Sequence, residues 1–164
     1  MLVSEGVLKW VINFYPPLFF QRVRVVRFDK GFRGVEVRII KSFLNKNYNN
    51  SIFGGTIFAA ADPFYPLLFF NILSRKGYKL RTWSHSLAIR YRKPSKTDMH
   101  FKIKISDKEV EDCEMVLNST GKYRRTFLIE IYDKNDQLCV TVLSKIYIRN
   151  LTYFESKETL VDLV

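Results

Sequence analysis

The spacing of apolar and polar residues changes several times along the chain, and each change predicts an element. Val7, Leu8, Val11, Ile12 and Phe14 recur at helical intervals in SEGVLKWVINF, which predicts a short amphipathic helix with Ser4 as its N-cap. The YPP that follows ends it, because proline disfavours a helical residue before it. Such a helix either packs on a domain edge or lies on a membrane, and edge packing is the expectation here. The period then shortens to two. FFQRVRVVRF and GVEVRIIKSFL read as strands joined by DKGFRG, a glycine-containing connection suited to a hairpin. In the second run Val35, Val37 and Ile39 alternate with Glu36 and Arg38, the mark of a half-buried strand.

From Gly55 to about Leu73 the sequence is too apolar for a surface helix and predicts a helix enclosed by other structure. TWSHSLAIRYRKP and MHFKIKISD follow as strands, then KEVEDCEMVLNS with helical character, then a long hairpin around DKNDQ in GKYRRTFLIEIYDKNDQLCVTVLSKIYIR. The order is helix, two strands, buried helix, then four strands with a short helix among them. A helix covering the apolar face of a many-stranded antiparallel sheet is an α+β layout.

One residue breaks the apolar run. Asp62 stands in FAAADPFYP and is followed at once by Pro63. An unpaired carboxylate among apolar side chains is costly, so Asp62 either has a partner or has a task. Pro63 has no N–H for the carbonyl of Ala59, and Pro66 has none for the carbonyl of Asp62. Asp62 therefore reads either as a polar brace for the helix break or as a carboxylate that the kink holds at a cavity; the second reading is preferred.

Composition bounds these elements. The 164 residues suit one domain over 1–164, with 1–18 as N-terminal helix and loop and 151–164 as a C-terminal tail. Hydrophobic residues at 47% and charged residues at 26% describe a globular chain. The net charge of +11 raises polyanions as partners. The basic residues are nevertheless dispersed, largely at alternate strand positions, as on a solvated face, and no nucleic-acid motif accompanies them. No specific nucleic acid is expected, and contact with a membrane surface through the N-terminal segment is not favoured. Cys113 and Cys139 lie far apart, and His85 and His100 stand alone, so neither a disulfide nor a metal site is expected. Glu5 and Lys9 interrupt what would be a signal core, and PFYPLLFFNIL is too short to span a bilayer; a cytoplasmic protein is the expectation.

NYNNSIFGGTIFAAADPFYPLL, with IRYRKP downstream and FLIEIYDKNDQLCVTVLSKIYIR at the end, resembles the hotdog-fold thioesterase superfamily. The likeness runs from about Tyr15 to Arg149 and is to a branch related to the thioesterase of phenylacetate degradation. It implies a hotdog fold, in which an antiparallel sheet wraps a long central helix. In phenylacetate-type enzymes a His-Gly-Gly turn opens that helix, and a carboxylate seven residues beyond the second glycine is the base or nucleophile. Gly54 and Gly55 match the glycines, and Asp62 falls on the carboxylate. Phe53 replaces the histidine and cannot make its polar contact. Asn47 matches a loop asparagine, a turn-former with scope for a polar contact.

By this resemblance the Gly54 N–H would serve an oxyanion hole, and Asp62 would activate water or attack a thioester. The implied substrate is an acyl-CoA or acyl-carrier thioester, with coenzyme A entering as part of the substrate and no further cofactor. Arg90, Arg92 and Lys93 would contact its phosphates, although solvent-facing strand positions explain Arg90 and Arg92 equally well. Phe58, Phe64 and Tyr65 would line an acyl tunnel, although core packing explains each singly. Hotdog sites form between subunits, so a homodimer or tetramer is implied. The alternative is a non-catalytic hotdog protein that binds acyl-CoA or fatty acyl ligands, or a dimeric scaffold.

Overall fold

The computed structural model describes residues 3–153, so the tail expected over 151–164 lies, from residue 154 onward, outside the described residues. Helix α1 (Glu5–Phe14) starts at Ser4, whose hydroxyl accepts from the Val7 N–H at 3.3 Å. A single turn, α2 (Pro16–Phe19), begins on the two prolines. Strands β1 (Val23–Phe28) and β2 (Gly34–Ile39) form the expected hairpin, paired in register Val25 with Val37.

The enclosed helix is two helices. α3 (Gly54–Ala61) and α4 (Phe64–Arg75) meet at Asp62 and Pro63, where the missing proline N–H interrupts the ladder. Together Gly54–Arg75 have the length and hydropathy of a membrane span, but 67% of the apolar window is buried within the protein, which accounts for its composition.

Strands β3 (Leu80–Tyr91), β4 (Met99–Lys104), β5 (Lys122–Asp133) and β6 (Leu138–Asn150) complete one sheet in the order β1-β2-β4-β5-β6-β3, with every neighbouring pair antiparallel. Helix α5 (Asp107–Thr120) separates β4 from β5. It opens on a reciprocal capping box between Ser106 and Glu109 and closes on Gly121 in the left-handed region (φ 72°), which explains why so polar a segment is helical.

The core lies between α3–α4 and the sheet. Phe64 packs on Phe101 of β4 (5.9 Å between centroids), and Tyr65 and Phe69 pack on Phe127 of β5 (4.3 and 5.6 Å). β1 and β3 are the two edges. The β1 edge is covered by α1, whose Asn13 carboxamide donates to the Val25 carbonyl (3.0 Å) and accepts from the Val25 N–H (2.7 Å). In that way a buried asparagine is satisfied and a strand edge is closed at one stroke.

Candidate active site

The loop between β2 and α3 is built on two asparagines. Asn45 is buried and donates to the carbonyls of Gln21 (2.8 Å) and Ile40 (2.9 Å), pinning the loop to the end of the hairpin. Asn47 folds the next turn: its Oδ1 accepts from the N–H groups of Asn49 (3.0 Å) and Ser51 (3.1 Å) and from the Ser51 hydroxyl (3.0 Å). The chain then enters α3 through Phe53, which occupies the N-cap position without capping it. Its carbonyl receives the N–H groups of Thr56 and Ile57. The N–H groups of Gly54 and Gly55 have no partner among the described residues.

A cap of serine, threonine, aspartate or asparagine would have engaged an N–H of this first turn. A phenylalanine leaves the positive end of the helix open to a ligand. The two glycines are needed by their neighbours. A Cβ on Gly54 would lie 2.9 Å from the Tyr91 hydroxyl oxygen, and one on Gly55 would collide with the Phe53 ring.

β3 is tied to α3 at both of its ends. The Tyr91 hydroxyl donates to the Gly54 carbonyl at 3.0 Å, and the Ser84 hydroxyl donates to the Asp62 carbonyl at 2.7 Å. Burial raises the Tyr91 hydroxyl further above the ordinary phenol value. Ser84 supplies the hydrogen bond that Pro66 denies the Asp62 carbonyl. The helix break is thus repaired from the strand, while the Asp62 carboxylate makes no hydrogen bond or ion pair among the described residues.

A cavity of ≈ 590 Å³ opens at the N-terminus of α3. Asn47, Asn49, Ser51 and Ile52 form one wall, Gly54 and Ile57 the floor, and the segment Tyr91–Lys96 the other wall. That segment is fixed by its backbone: the Cys139 carbonyl receives the N–H groups of Arg92 (2.7 Å) and Lys93 (3.2 Å), and the Ser95 carbonyl receives that of Ile52 (2.9 Å). The lining holds Arg92, Lys93 and Lys96 and no acid. Lys93 donates to the Gln137 side chain (2.9 Å). Three cations and an open helix N-terminus give this cavity a positive potential.

Asn47, Gly54, Arg92 and Lys93 therefore meet in one place. The other residues singled out from the sequence lie apart. Phe53 (58% exposed) and Gly55 form the helix entrance beside the cavity, and Phe58 (45% exposed) lies one turn along α3. Asp62 is half-buried at the far end of α3, eight residues from Gly54 and so about 12 Å along the axis. Arg90 lies outside this cavity, in another of ≈ 510 Å³ lined also by Ala88, Arg92, Thr141 and Leu143. Tyr65 and Phe64 are core residues; Tyr65 stacks on Phe127, and burial pushes its hydroxyl up to about 12. Tyr91, Ser95 and Lys96 were not foreseen as site residues. Tyr91 sits inside the IRYRKP stretch, and only its place opposite Gly54 distinguishes it.

Other chemistry is poorly supported. The Cys113 thiol is buried and its pKa pushed up, so it is no nucleophile. No group of three metal-ligating side chains occurs among the described residues.

The six-stranded antiparallel sheet folded over a kinked central helix is the hotdog fold, and solved structures bear this out. A Pseudomonas aeruginosa protein of unknown function, described as a probable thioesterase, superposes with a TM-score of 0.80 at 14% identity over 92% of this chain and 98% of its own. A Haemophilus influenzae thioesterase gives a TM-score of 0.67 at 12% identity over 92% and 96%. The PaaI protein from the phenylacetic acid degradation operon of E. coli gives 0.60 at 13% identity over 90% and 96%. No curated protein sequence matches. Residues 5–148 match the model of a domain of unknown function, DUF4442, and the chain belongs to that family.

Proposed function

We propose that this protein hydrolyses acyl thioesters and that the cavity at the N-terminus of α3 receives the carrier and the thioester carbonyl. The observation that carries this reading is the pair of unpartnered N–H groups at Gly54 and Gly55, with Gly54 lining a cavity that holds three cations and no acid. Negative charge developing on a thioester oxygen is stabilised by N–H dipoles already in place, and the phosphates of coenzyme A suit Arg92, Lys93 and Lys96.

The base is Asp62. Its carboxylate takes a proton from water as the oxygen adds to the thioester carbon. The tetrahedral adduct then expels the thiolate, which recovers the proton, and the products are a carboxylic acid and a thiol. Within one chain Gly54 and Asp62 are about 12 Å apart, too far to act on one carbonyl. A second copy, presenting its Asp62 to this chain's Gly54, resolves the distance, and the free β3 edge beside α3 offers the place for it.

Thiol release from short, long and aromatic acyl-CoAs tests the reading. Wild type should turn over at least one of them, and folded Asp62→Asn should lose about a hundredfold or more. An Asp62→Asn protein as active as wild type would refute the assignment.

Phe53 in the histidine position and the unpartnered Asp62 carboxylate favour a second reading, an acyl-CoA-binding protein without turnover. Saturable binding of acyl-CoA by calorimetry, with no thiol released from any substrate, would select it.

A further inference from the structure

α1 is seated with a strong apolar face outward. Leu8 points inward, and the two hydrogen bonds between Asn13 and Val25 fix the roll of the helix about its axis. Val7, Trp10, Val11 and Phe14 are consequently left 50% to 65% exposed. They fall at i, i+3, i+4 and i+7, so they form one stripe. Scattered exposed apolar residues are ordinary, but a continuous stripe marks a contact surface.

The stripe continues past the helix as a run of rings. Trp10 lies 5.9 Å from Phe14, Phe14 6.1 Å from Phe19, and Phe19 5.4 Å from Phe20, which is 63% exposed. Asn45 holds the neighbouring loop against Gln21 at 2.8 Å, and that loop exposes Phe43 at 80% and Leu44 at 53%.

The surroundings are cationic. No acid occurs from Val7 to Phe28 or from Val37 to Ala61, while these segments hold Lys9, Arg22, Arg24, Lys41 and Lys46. The Lys9 ammonium lies 5.8 Å from the Trp10 ring and the Arg24 guanidinium 4.6 Å from that of Phe19. Glu5, the acid of α1, is engaged with the Gly31 N–H at 2.8 Å.

We propose that this face docks on the surface of an anionic lipid bilayer, with Trp10, Phe14, Phe20 and Phe43 entering the boundary between headgroups and acyl chains. Aromatic rings favour that boundary, and the lysines and arginines beside them meet lipid phosphates. Burying the same face against a second copy would bring together two rims in which cations outnumber the acids Glu5 and Asp98, the latter bound to the Lys41 N–H at 2.9 Å, and charge opposes that. The proposal does not depend on the thioesterase reading.

Trp10 and Trp83 are the two tryptophans, so Trp83→Phe leaves Trp10 as the only indole reporter. With vesicles of phosphatidylcholine carrying about 30% phosphatidylserine, Trp10 emission should shift to the blue, brominated acyl chains should quench it, and the protein should sediment with the lipid. Raising salt should release it. Trp10→Glu with Phe14→Glu, in the chain that keeps Trp83, should weaken co-sedimentation roughly a hundredfold with an unchanged circular dichroism spectrum. Quenching of Trp10 needs neither charged substitution, so it decides the matter even if that variant is misfolded. The proposal is overturned by absent quenching and co-sedimentation, by equal vesicle affinity of the folded double variant, or by a double variant that changes only the sedimenting oligomer.

Discussion

The Tyr91 hydroxyl stands 3.0 Å from the carbonyl oxygen of Gly54 and donates to it, tying the last residue of β3 to the first residue of α3. The bond holds the peptide next to the N–H that would face an oxyanion. Tyr91→Phe should cost about 1 kcal/mol of stability and lower thioester turnover roughly tenfold. Gly54→Ala should destabilise as well, because its Cβ would lie 2.9 Å from the Tyr91 oxygen. In the double variant the oxygen is gone and only the ring carbon at 3.1 Å still crowds the Cβ, so the two losses should fall short of their sum by about 0.5–1 kcal/mol in urea melts. Strict additivity would show that the two residues do not communicate.

Ser84 acts on the other end of α3. Removing its hydroxyl orphans the Asp62 carbonyl, which Pro66 already deprives of a helical donor. Ser84→Ala should lose about 1–2 kcal/mol in denaturant melts. Ser84→Thr, which keeps the hydroxyl, should recover most of it. An unaffected Ser84→Ala would mean that solvent serves the carbonyl equally well.

The three cations of the cavity make a prediction about the carrier. Arg92→Ala and Lys96→Ala should each raise KM for an acyl-CoA about tenfold and change kcat little, since phosphate binding is shared by ground and transition states. With an acyl-pantetheine, which has no phosphates, the same variants should behave as wild type. An equal loss on both substrates would place these side chains nearer the reacting bond.

Alkaline stability should depend on Tyr65. Burial raises its hydroxyl in the folded protein from 10.0 to about 12. The folded state then holds the proton more tightly, so this contribution is complete below pH 10 and disappears as pH climbs through 12. Roughly 2–3 kcal/mol should be lost across that window, seen as a falling Tm. The loss should be smaller in Tyr65→Phe. A Tm that falls as steeply in Tyr65→Phe as in wild type would shift the cause to Cys113, Tyr123 or Tyr91, which burial also raises.

The order of helices and strands was legible because each element keeps one period. Val35, Val37 and Ile39 alternate, and Ser106 and Glu109 cap a helix wherever it lies in the fold. The kink was legible because Pro63 removes a donor by covalent structure. The setting of Asp62 was not. The sequence left Asp62 either as a brace for the helix break or as a carboxylate held at a cavity; in the structure α3 turns only part of its surface inward, and both Asp62 and Phe58 retain access to solvent. Ser84 as the repairing donor lies 22 residues away, a relation that only strand placement creates. The cavity wall from Tyr91 to Lys96 is likewise a matter of how β3 ends against the loop of Asn47. Arg90 and Arg92 looked equivalent along the chain, and the structure puts only Arg92 in that wall.

The Asn13 clamp on Val25 also bears on how far the protein can polymerise. A β-sheet with two open edges can grow from both, and repeated addition gives fibres. Here α1 obstructs the β1 edge, leaving the twelve-residue β3 edge as the principal site for adding a strand. Were two copies to join β3 to β3, as the proposed pairing requires, each would use up its growing end, and the two six-stranded sheets would close into one with a helix guarding either side. In such a pair Asn13 would act as a chain terminator, occupying the N–H and carbonyl of Val25 that an added strand would need.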